Sequence, residues 1–397
     1  YWDVCPGLRQ ALFQKNRTGY VDLAVPTGAI RSTIHEHAEF RRFSADMEAH
    51  FTAWRTPTVA KLKALTQGLH PKAVVQELSE GLLAHYTGKP LIGAYDVYQL
   101  LMDHAEDVLR DDLYILSEEG WAVGAQVREL QKVKVKTNDG EKETWSEVHD
   151  YSIGRRRFKS DLIPGPVLVA RYFAQEQAVI TALGAEVEAL KAELDALNEE
   201  HSDEGALGAV ENLKEAKAAY EVALVEVAAT VNEALGEAID TARNALTSAM
   251  QRFREAQDAP GIRALADAKG KVTQARVKEQ HRTTTDAEER RITEEYLAAL
   301  AAIKQAKDAL KPLLDQAEKL ATQRLKADPE HEEVQDLRIL AQYLDLSDAL
   351  AEKRGELKKR KEELDELLHA KYPTLSEADV KTLVVEDKWM GNLSRAI

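Results

Sequence analysis

Basic side chains that alternate along one predicted strand, and an arginine run that follows it, are the residues whose type and spacing best suit a binding role. Lysine and arginine position a protein on nucleic acid by contacting phosphates, without reading the base sequence. Edge strands also carry charge simply to prevent aggregation, which is the alternative interpretation. The candidate contacts with a DNA backbone are Lys132, Lys134, Lys136, Arg155, Arg156, Arg157 and Lys159.

Two histidines with neighbouring glutamates, His35-Glu36-His37 and Glu39, raise the question of a metal site. Side chains two residues apart point to different faces of a helix, and the zinc-protease spacing H-E-x-x-H is absent. A solvated polar helix face is the alternative. A metal-dependent enzyme that uses His35 and His37 is therefore a third hypothesis, behind the two described below.

Other catalytic signatures are missing from the sequence. Between Gly81 and Gly88 there are six residues where a phosphate loop has four, and Pro90 follows Lys89 where that loop needs Ser or Thr. We therefore predict that Gly88 ends a helix. Cys5 has no histidine nearby and is expected to pack among apolar side chains. No Gly-x-Ser-x-Gly occurs. We predict no catalytic, cofactor-binding or metal-binding residue in this chain.

Length and composition limit the classes of protein that remain. The 397 residues suffice for two or three domains, and a net charge of −15 argues against non-specific coating of nucleic acid or anionic membrane. The single cysteine makes a reducing compartment, the cytoplasm, the default. No apolar run approaches the ~18 residues of a membrane span. Because the sequence starts Tyr1-Trp2 without a methionine, we expect a piece of a larger protein.

A long helical pattern follows Pro164-Gly165-Pro166. Its apolar positions are three or four residues apart, which is the seam that one helix offers to another in a coiled coil. These positions are Ile180, Leu183, Val187, Leu190, Leu194 and Leu197. Leucines seven apart recur at Leu350, Leu357 and Leu364. We predict that 173–197 and 344–368 pair antiparallel as a long arm, with further helices from 205 to 327. The seam could instead join helices of another subunit.

A small antiparallel sheet is predicted ahead of the arm. Leu113–Leu116 and Trp121–Val123 have the composition of buried strands, and Lys132–Lys136 alternates with the period of a half-buried strand. Asn138-Asp139-Gly140 is a turn signal, and 145–151 is the expected partner strand.

The predicted fold is therefore mainly α with a small antiparallel β-sheet and a long antiparallel coiled-coil arm. Its predicted parts are a helical domain at 1–112, the sheet at 113–163, the arm with its distal bundle at 164–372, and docking helices at 373–397. The last part carries an apolar surface that either a partner or residues missing from this sequence would cover. Its partner-docking candidates are Leu383, Val384, Val385, Trp389, Met390 and Leu393.

Several long strings in this chain resemble one family. They are YWDVCP (1–6), PLIGAYDVYQLLM (90–102), DDLY (111–114), GW (120–121), DLIPGPVLVARYF (161–173) and YPTLSEADVKTLVVEDKW (372–389). These strings look like the region that follows the catalytic domain in modification (M) subunits of type I restriction-modification systems. The resemblance covers about 1–200 and 330–397, whereas the alanine-rich 205–327 resembles nothing that we recognise.

The resemblance implies a role in assembly. The family methylates adenine in DNA with S-adenosylmethionine, and its catalytic Asn-Pro-Pro-[Tyr/Phe] acts on a flipped base. No Asn-Pro pair and no glycine-rich cofactor loop occur here, so S-adenosylmethionine is expected only for a full-length parent. The implied partners are the specificity (S) subunit, the restriction subunit and double-stranded DNA, with no membrane. The alternative is a freestanding coiled-coil scaffold with no DNA role.

Overall fold

The computed structural model describes residues 3–137, 140–201, 206–208, 210–267 and 270–397, without the side chains of 135–137 and 140–142. The chain is mainly α-helical with small antiparallel sheets, as predicted. It divides into two compact units. The first contains the residues up to Leu183 and those from Glu356 onward, and the second is Gly184–Gly355. The predicted boundaries after residues 112, 163 and 372 all fall inside the first unit, so they do not separate compact units.

The first unit is built mostly from helices. They are α1 (Pro6–Leu12), α2 (Ile30–Glu36), α3 (Ala38–Lys63), α4 (Pro71–Tyr86), α5 (Ala94–His104), α6 (Arg110–Glu119), α7 (Gly165–Tyr172) and, near the end of the chain, α15 (Glu377–Lys381) and α16 (Gly391–Ala396). Short 3-10 helices lie at Thr27–Ala29, Trp121–Ala125 and Tyr372–Thr374. Two π-helical segments, Ala105–Leu109 and Thr382–Met390, continue α5 and α15.

In the described part of the chain, seven short strands form three small antiparallel sheets. The strands are β1 (Phe13–Lys15), β2 (Val21–Leu23), β3 (Arg128–Glu129), β4 (Lys132–Thr137), β5 (Gly140–Trp145), β6 (Tyr151–Ile153) and β7 (Arg156–Lys159). β1 pairs with β2, β4 pairs with β5, and β7 lies between β3 and β6. The predicted partner strand was wrong, because β4 pairs with 140–145 rather than with 145–151. The predicted turn falls largely on residues 138–139, outside the described part.

The two strands predicted at Leu113–Leu116 and Trp121–Val123 are also wrong. Both segments are helical in the structure, as α6 and a 3-10 helix. Leu109, Leu113 and Leu116 lie at helical spacing and are at most 2% exposed, so one face of a helix buries all three. A short apolar run fits a buried strand and a buried helix face equally well, and here the tertiary core selects the helix.

One apolar core holds the first unit together. It contains side chains from α3 to α7, from the central sheet residues Tyr151 and Phe158, and from the C-terminal segment. The rings of Tyr151 and Phe158 stack with centroids 5.4 Å apart, and Tyr151 stacks on Tyr372 at 5.9 Å. The sheet is thus part of the helical core. Cys5 is buried beside Leu8 in a small separate cluster, as predicted.

In the described residues of the second unit, every regular secondary-structure element is a helix. Its helices are α9 (Leu213–Val231), α10 (Glu233–Asp258), α11 (Pro260–Arg263), α12 (Gln274–Thr283) and α13 (Ala287–Ala327), together with parts of α8 (Ala174–His201) and α14 (Glu332–Lys371). Asn232 separates α9 from α10 and caps α10 by accepting a hydrogen bond from Leu235 N. Ala216, Ala317 and Ala321 are fully buried. Small side chains at buried helix positions let backbones approach closely, which explains the alanine-rich composition.

Helices α8 and α14 form the predicted antiparallel arm. Within the second unit, Lys353 Nζ lies 2.8 Å from Glu186 Oε2. Within the first unit, Ile180 packs in the same cluster as Leu364 and Leu368. A lower number on α8 thus meets a higher number on α14, so the helices run in opposite directions. The predicted seam positions of α8 are buried or half-buried, while most intervening residues are exposed. The chain therefore covers its own seam.

Candidate functional site

One of the two histidines of the metal hypothesis, His37, serves the backbone instead. His37 caps α3, where its ring nitrogen Nδ1 accepts a hydrogen bond from Glu39 N at 3.2 Å. The Glu39 carboxylate accepts bonds from Gly7 N and Leu8 N at 3.0 and 2.7 Å. These bonds, above all that from Leu8, lower the pKa of Glu39. Among the described residues no three His, Cys, Asp or Glu side chains gather as a metal site would require.

The predicted phosphate-contacting residues lie on two different sheets. Lys132 and Lys134 are on β4, and Arg156 and Lys159 are on β7, with Arg155 just before it. Lys136 is on β4 as well, but its side chain is outside the described part. The stretch 128–161 holds nine Lys and Arg against seven Asp and Glu, in a chain of net charge −15. This region is therefore locally basic.

Acidic neighbours already engage part of this basic group. Arg128 Nε donates to Asp161 at 2.9 Å, and its Nη2 donates to Glu147 at 2.7 and 2.8 Å. Lys159 Nζ lies 2.7 Å from the same Glu147 carboxylate, and Arg156 donates to Glu129 at 2.6 Å. The bonds from Arg128 and then Lys159 lower the pKa of Glu147 to about 2.

This network constrains which candidates are available for phosphate. Arg156 and Lys159 have carboxylate partners in the structure, and a phosphate would have to displace those carboxylates. Lys134 and Arg155 are exposed and form no ion pair with a described residue. They are therefore the best placed of the predicted set to contact an anion. The sequence pattern could not distinguish the two groups, because the carboxylate partners come from other strands and loops.

A tryptophan connects the two sheets. Arg157 Cζ is 4.6 Å from the ring centroid of Trp145, and Lys132 Nζ is 5.5 Å from it. Lys132 faces Trp145 directly across the β4–β5 pair. Cations over an aromatic ring are attracted by its quadrupole. The contact matters because a two-stranded hairpin is marginal by itself, and Arg157 links it to the three-stranded sheet.

The structure corrects the prediction that six C-terminal residues form a docking surface for a partner. All six are buried, with exposures of 0 to 2%. They belong to the π-helical segment Thr382–Met390 and to α16. A segment that is apolar around its circumference must be buried on several sides, and the core of the first unit provides this cover. Their side chains therefore form no open docking surface.

Each charged residue inside this buried segment has a specific partner. Glu386 pairs with Lys63 of α3, and Arg171 Nη2 of α7 donates to Asp387 at 2.6 Å. Lys388, only 11% exposed, donates to Asp112 of α6 at 2.8 Å. These three ion pairs attach the C-terminal segment to three different helices.

Asp112 is the centre of this junction. Its carboxylate accepts bonds from Lys388 Nζ and, at 2.7 Å, from the indole Nε1 of Trp389. Lys388 Nζ also donates to the carbonyl of Leu162 at 2.9 Å. Burial raises the pKa of Asp112, and Lys388 and Trp389 oppose that rise. A buried ion pair needs such additional hydrogen bonds to balance the loss of hydration.

A further hydrogen bond joins segments distant in the chain at the same junction. The hydroxyl of Tyr372, which is fully buried, donates to the carbonyl of Ile163 at 2.7 Å. Sequence reasoning missed Asp112, Lys388 and Tyr372 as a site. One available signal was the charged triplet Glu386-Asp387-Lys388 between the apolar residues Leu383–Val385 and Trp389-Met390, because charges inside such a segment need partners.

Within the described part of the chain, no helix combines the length and apolar character that crossing a bilayer requires. Comparison with protein-family models, with curated proteins and with solved structures finds no match to this chain.

Proposed function

We propose that this chain is the accessory and assembly region of an adenine-specific DNA methyltransferase subunit of a type I restriction-modification system. In this proposal it docks on the specificity subunit, takes part in a complex with the restriction subunit, and helps to hold duplex DNA. A cytoplasmic location is part of the same proposal. The chain lacks the Asn-Pro signature and a glycine-rich loop, so its residues do not fit S-adenosylmethionine, and no chemical step is assigned to it.

The observation that carries the proposal is that three of the family-like strings meet in one junction. Asp112 belongs to DDLY, Leu162 and Arg171 to DLIPGPVLVARYF, and Lys388 and Asp387 to YPTLSEADVKTLVVEDKW. These residues bond directly to one another although the last string follows the others by about two hundred residues. Chance matches would be expected to scatter over the structure. Because these strings contact one another, they support a resemblance of the whole structural unit to the family.

The docking surface in this proposal lies on the outer faces of α8 and α14. The inner seam of these helices is covered within the chain. Val179 of α8 is 46% exposed and Leu367 of α14 is 41% exposed. They are the large apolar side chains of these two helices that the described structure leaves exposed. Apolar side chains on helix faces are the usual anchors for a partner helix.

We expect the chain to co-elute in gel filtration with a type I specificity subunit encoded in the same genome. Val179→Glu with Leu367→Glu should weaken the complex at least ~100-fold, because a carboxylate would be buried at each anchor. Val222→Glu, at an equally exposed position on α9, is the matched control and should leave the complex intact. Absence of any complex at micromolar concentrations would reject the assembly role.

The DNA contribution makes a separate prediction. The chain should bind duplex DNA weakly, with an affinity that falls steeply as salt rises. Lys134→Glu with Arg155→Glu should lower the slope of log affinity against log salt by about two, since each phosphate contact contributes about one. Fluorescence anisotropy with a labelled duplex at several salt concentrations measures this slope.

The control for that experiment changes the net charge of the chain by the same amount, but at a site away from the basic strands. Lys304→Glu with Lys307→Glu alters two exposed lysines on α13 of the second unit. If both double variants reduce binding alike, the effect comes from net charge and the DNA site is wrong. If neither the wild type nor any variant binds DNA, the scaffold alternative is favoured. The scaffold alternative is supported by the carboxylates that already pair with Arg156 and Lys159.

A further inference from the structure

Helices α11 and α12 of the second unit pack on α13 through a small apolar cluster of their own. Its buried members are Ile262, Val277 and Tyr296, and none of them belongs to the larger cluster of this unit. Residues 259–285, which contain α11 and α12, hold six Lys and Arg against two Asp and Glu, whereas the whole chain holds 53 against 68. This α11–α12 segment is therefore a basic region in an acidic chain.

The two acidic residues of the α11–α12 segment are already engaged. Asp267 Oδ1 accepts a hydrogen bond from Lys271 N at 2.8 Å, so this carboxylate serves the backbone between the two helices. Glu279 pairs with Arg282 along α12 at 3.3 Å. The remaining cations of the segment must therefore find any carboxylate partner on another element.

Neighbouring helices bring two carboxylates to the segment. Asp258, at the end of α10, accepts from Arg263 at 2.8 Å. Glu289 of α13 accepts from Gln280 Nε2 at 2.9 Å and from the hydroxyl of Thr284 at 2.6 Å. Both carboxylates thus have partners other than the three cations described next.

Three cations of the segment are exposed and form no ion pair with a described residue. They are Lys271, Arg276 and Lys278. Arg276 Nη1 donates to the neutral carbonyl of Leu265 at 3.3 Å, which leaves its charge uncompensated. Val277, between two of these cations, is fully buried. Because successive side chains on a helix are about 100° apart, burial of Val277 places its two neighbours on either side of the exposed face of α12.

The composition of the exposed surface indicates which kind of partner it fits. No large apolar side chain of the described part of 259–285 is exposed. Protein interfaces are centred on aromatic or aliphatic anchors, and a helix that lies on a membrane needs an apolar face. Contact with a nucleic-acid backbone needs only cations. The 10 residues of α12 extend ~15 Å, a length over which duplex DNA carries about nine phosphate charges.

We propose that Lys271, Arg276 and Lys278 contact the phosphate backbone of duplex DNA, in addition to the basic strands of the first unit. The inference rests on the proposed function for the choice of DNA as the polyanion. It gives a role to the alanine-rich 205–327, in which no family-like string occurs. Because only phosphates are contacted, this part of the binding is independent of base sequence.

Fluorescence anisotropy of the full chain with a labelled duplex at several salt concentrations tests this contact. Lys271→Gln with Lys278→Gln should lower the slope of log affinity against log salt by about two, since each phosphate contact contributes about one. The matched control is Lys304→Gln with Lys307→Gln, which removes the same charge from exposed positions on α13 of the same unit. This control should leave the slope unchanged, and equal effects of the two pairs would overturn the proposal.

A variant that strengthens binding guards against misfolding as the cause of a loss. Glu279→Gln releases Arg282 from its ion pair and removes the acidic residue of α12, so it should raise the slope by about one. An unchanged slope would contradict the contact.

The specificity of the contact for nucleic acid is tested by competition. Unlabelled duplex should displace the labelled duplex far better than polyglutamate or anionic phospholipid vesicles do. Equal displacement by either competitor would show that the segment recognises another polyanion. If the strand variants Lys134→Glu with Arg155→Glu reduce DNA binding and the α11–α12 variants do not, this inference fails while the proposed function stands.

Discussion

Replacing Lys388 by methionine should destabilise the first unit by about 3–5 kcal/mol, the typical effect of removing one partner from a buried ion pair. Asp112 is 4% exposed, so its carboxylate would stay buried with only the indole of Trp389 as a hydrogen-bond donor. All five tryptophans belong to the stretches of sequence that make up the first unit. Tryptophan fluorescence during urea unfolding therefore measures the stability of this unit.

The stability lost in Lys388→Met should depend on pH in a defined direction. Burial raises the pKa of Asp112 above its ordinary value of 3.8, and removing Lys388 removes the main opposing influence. A carboxyl group whose pKa is raised by folding favours the folded state at low pH and loses that contribution as the pH rises through the folded pKa. The difference between wild type and Lys388→Met should therefore shrink as the pH is lowered from 7 toward 4.

Two further variants complete this test. Lys61→Met removes a lysine from the exposed pair with Glu77, and it should change stability by less than about 1 kcal/mol. Adding Asp112→Asn to Lys388→Met removes the unpaired charge, while the amide oxygen still accepts from Trp389. The double variant should recover most of the lost stability. Equal effects of Lys388→Met and Lys61→Met would contradict the buried ion pair.

Leu383→Ala should lower the free energy of unfolding of the first unit by about 2–5 kcal/mol, the range for a leucine deleted from a packed core. Leu383 is fully buried in the C-terminal segment. The matched control is Leu367→Ala, because Leu367 is 41% exposed in the same unit. It should change stability by no more than about 0.5 kcal/mol.

This comparison also decides between core and docking roles for the C-terminal residues. If they form a partner surface, Leu383→Ala should leave the isolated chain as stable as Leu367→Ala does and weaken only the complex. If they form the core, Leu383→Ala should destabilise the isolated chain in the absence of any partner. Urea unfolding followed by tryptophan fluorescence, with no second protein present, separates the two outcomes.

Long periodic segments were predictable because their pattern repeats over many turns. The apolar spacing from Ile180 to Leu197 specified one helix face, and the leucines from Leu350 to Leu364 specified another. Two such faces can be buried together only by helices that meet along their length. The sequence also predicted the strand at Lys132–Lys136, because its alternation with valine has the period of a pleated sheet.

Short apolar runs were not predictable in the same way. Leu113–Leu116 has no period long enough to separate strand from helix, and its neighbours in the core decide the outcome. The C-terminal residues from Leu383 to Leu393 read as an exposed docking surface because their cover comes from helices far away in sequence. The partner of a charged side chain is equally non-local, as Asp112 and Lys388 show.

By itself, then, the sequence determined the class of the fold, the pairing of the two long helices and the lack of the catalytic signatures considered. Periodicity and composition carry that information locally, residue by residue. Only the tertiary structure decided which of the described basic residues lack a carboxylate partner, and that the C-terminal segment is core. These features depend on contacts between residues far apart in the chain, and no local pattern encodes such contacts.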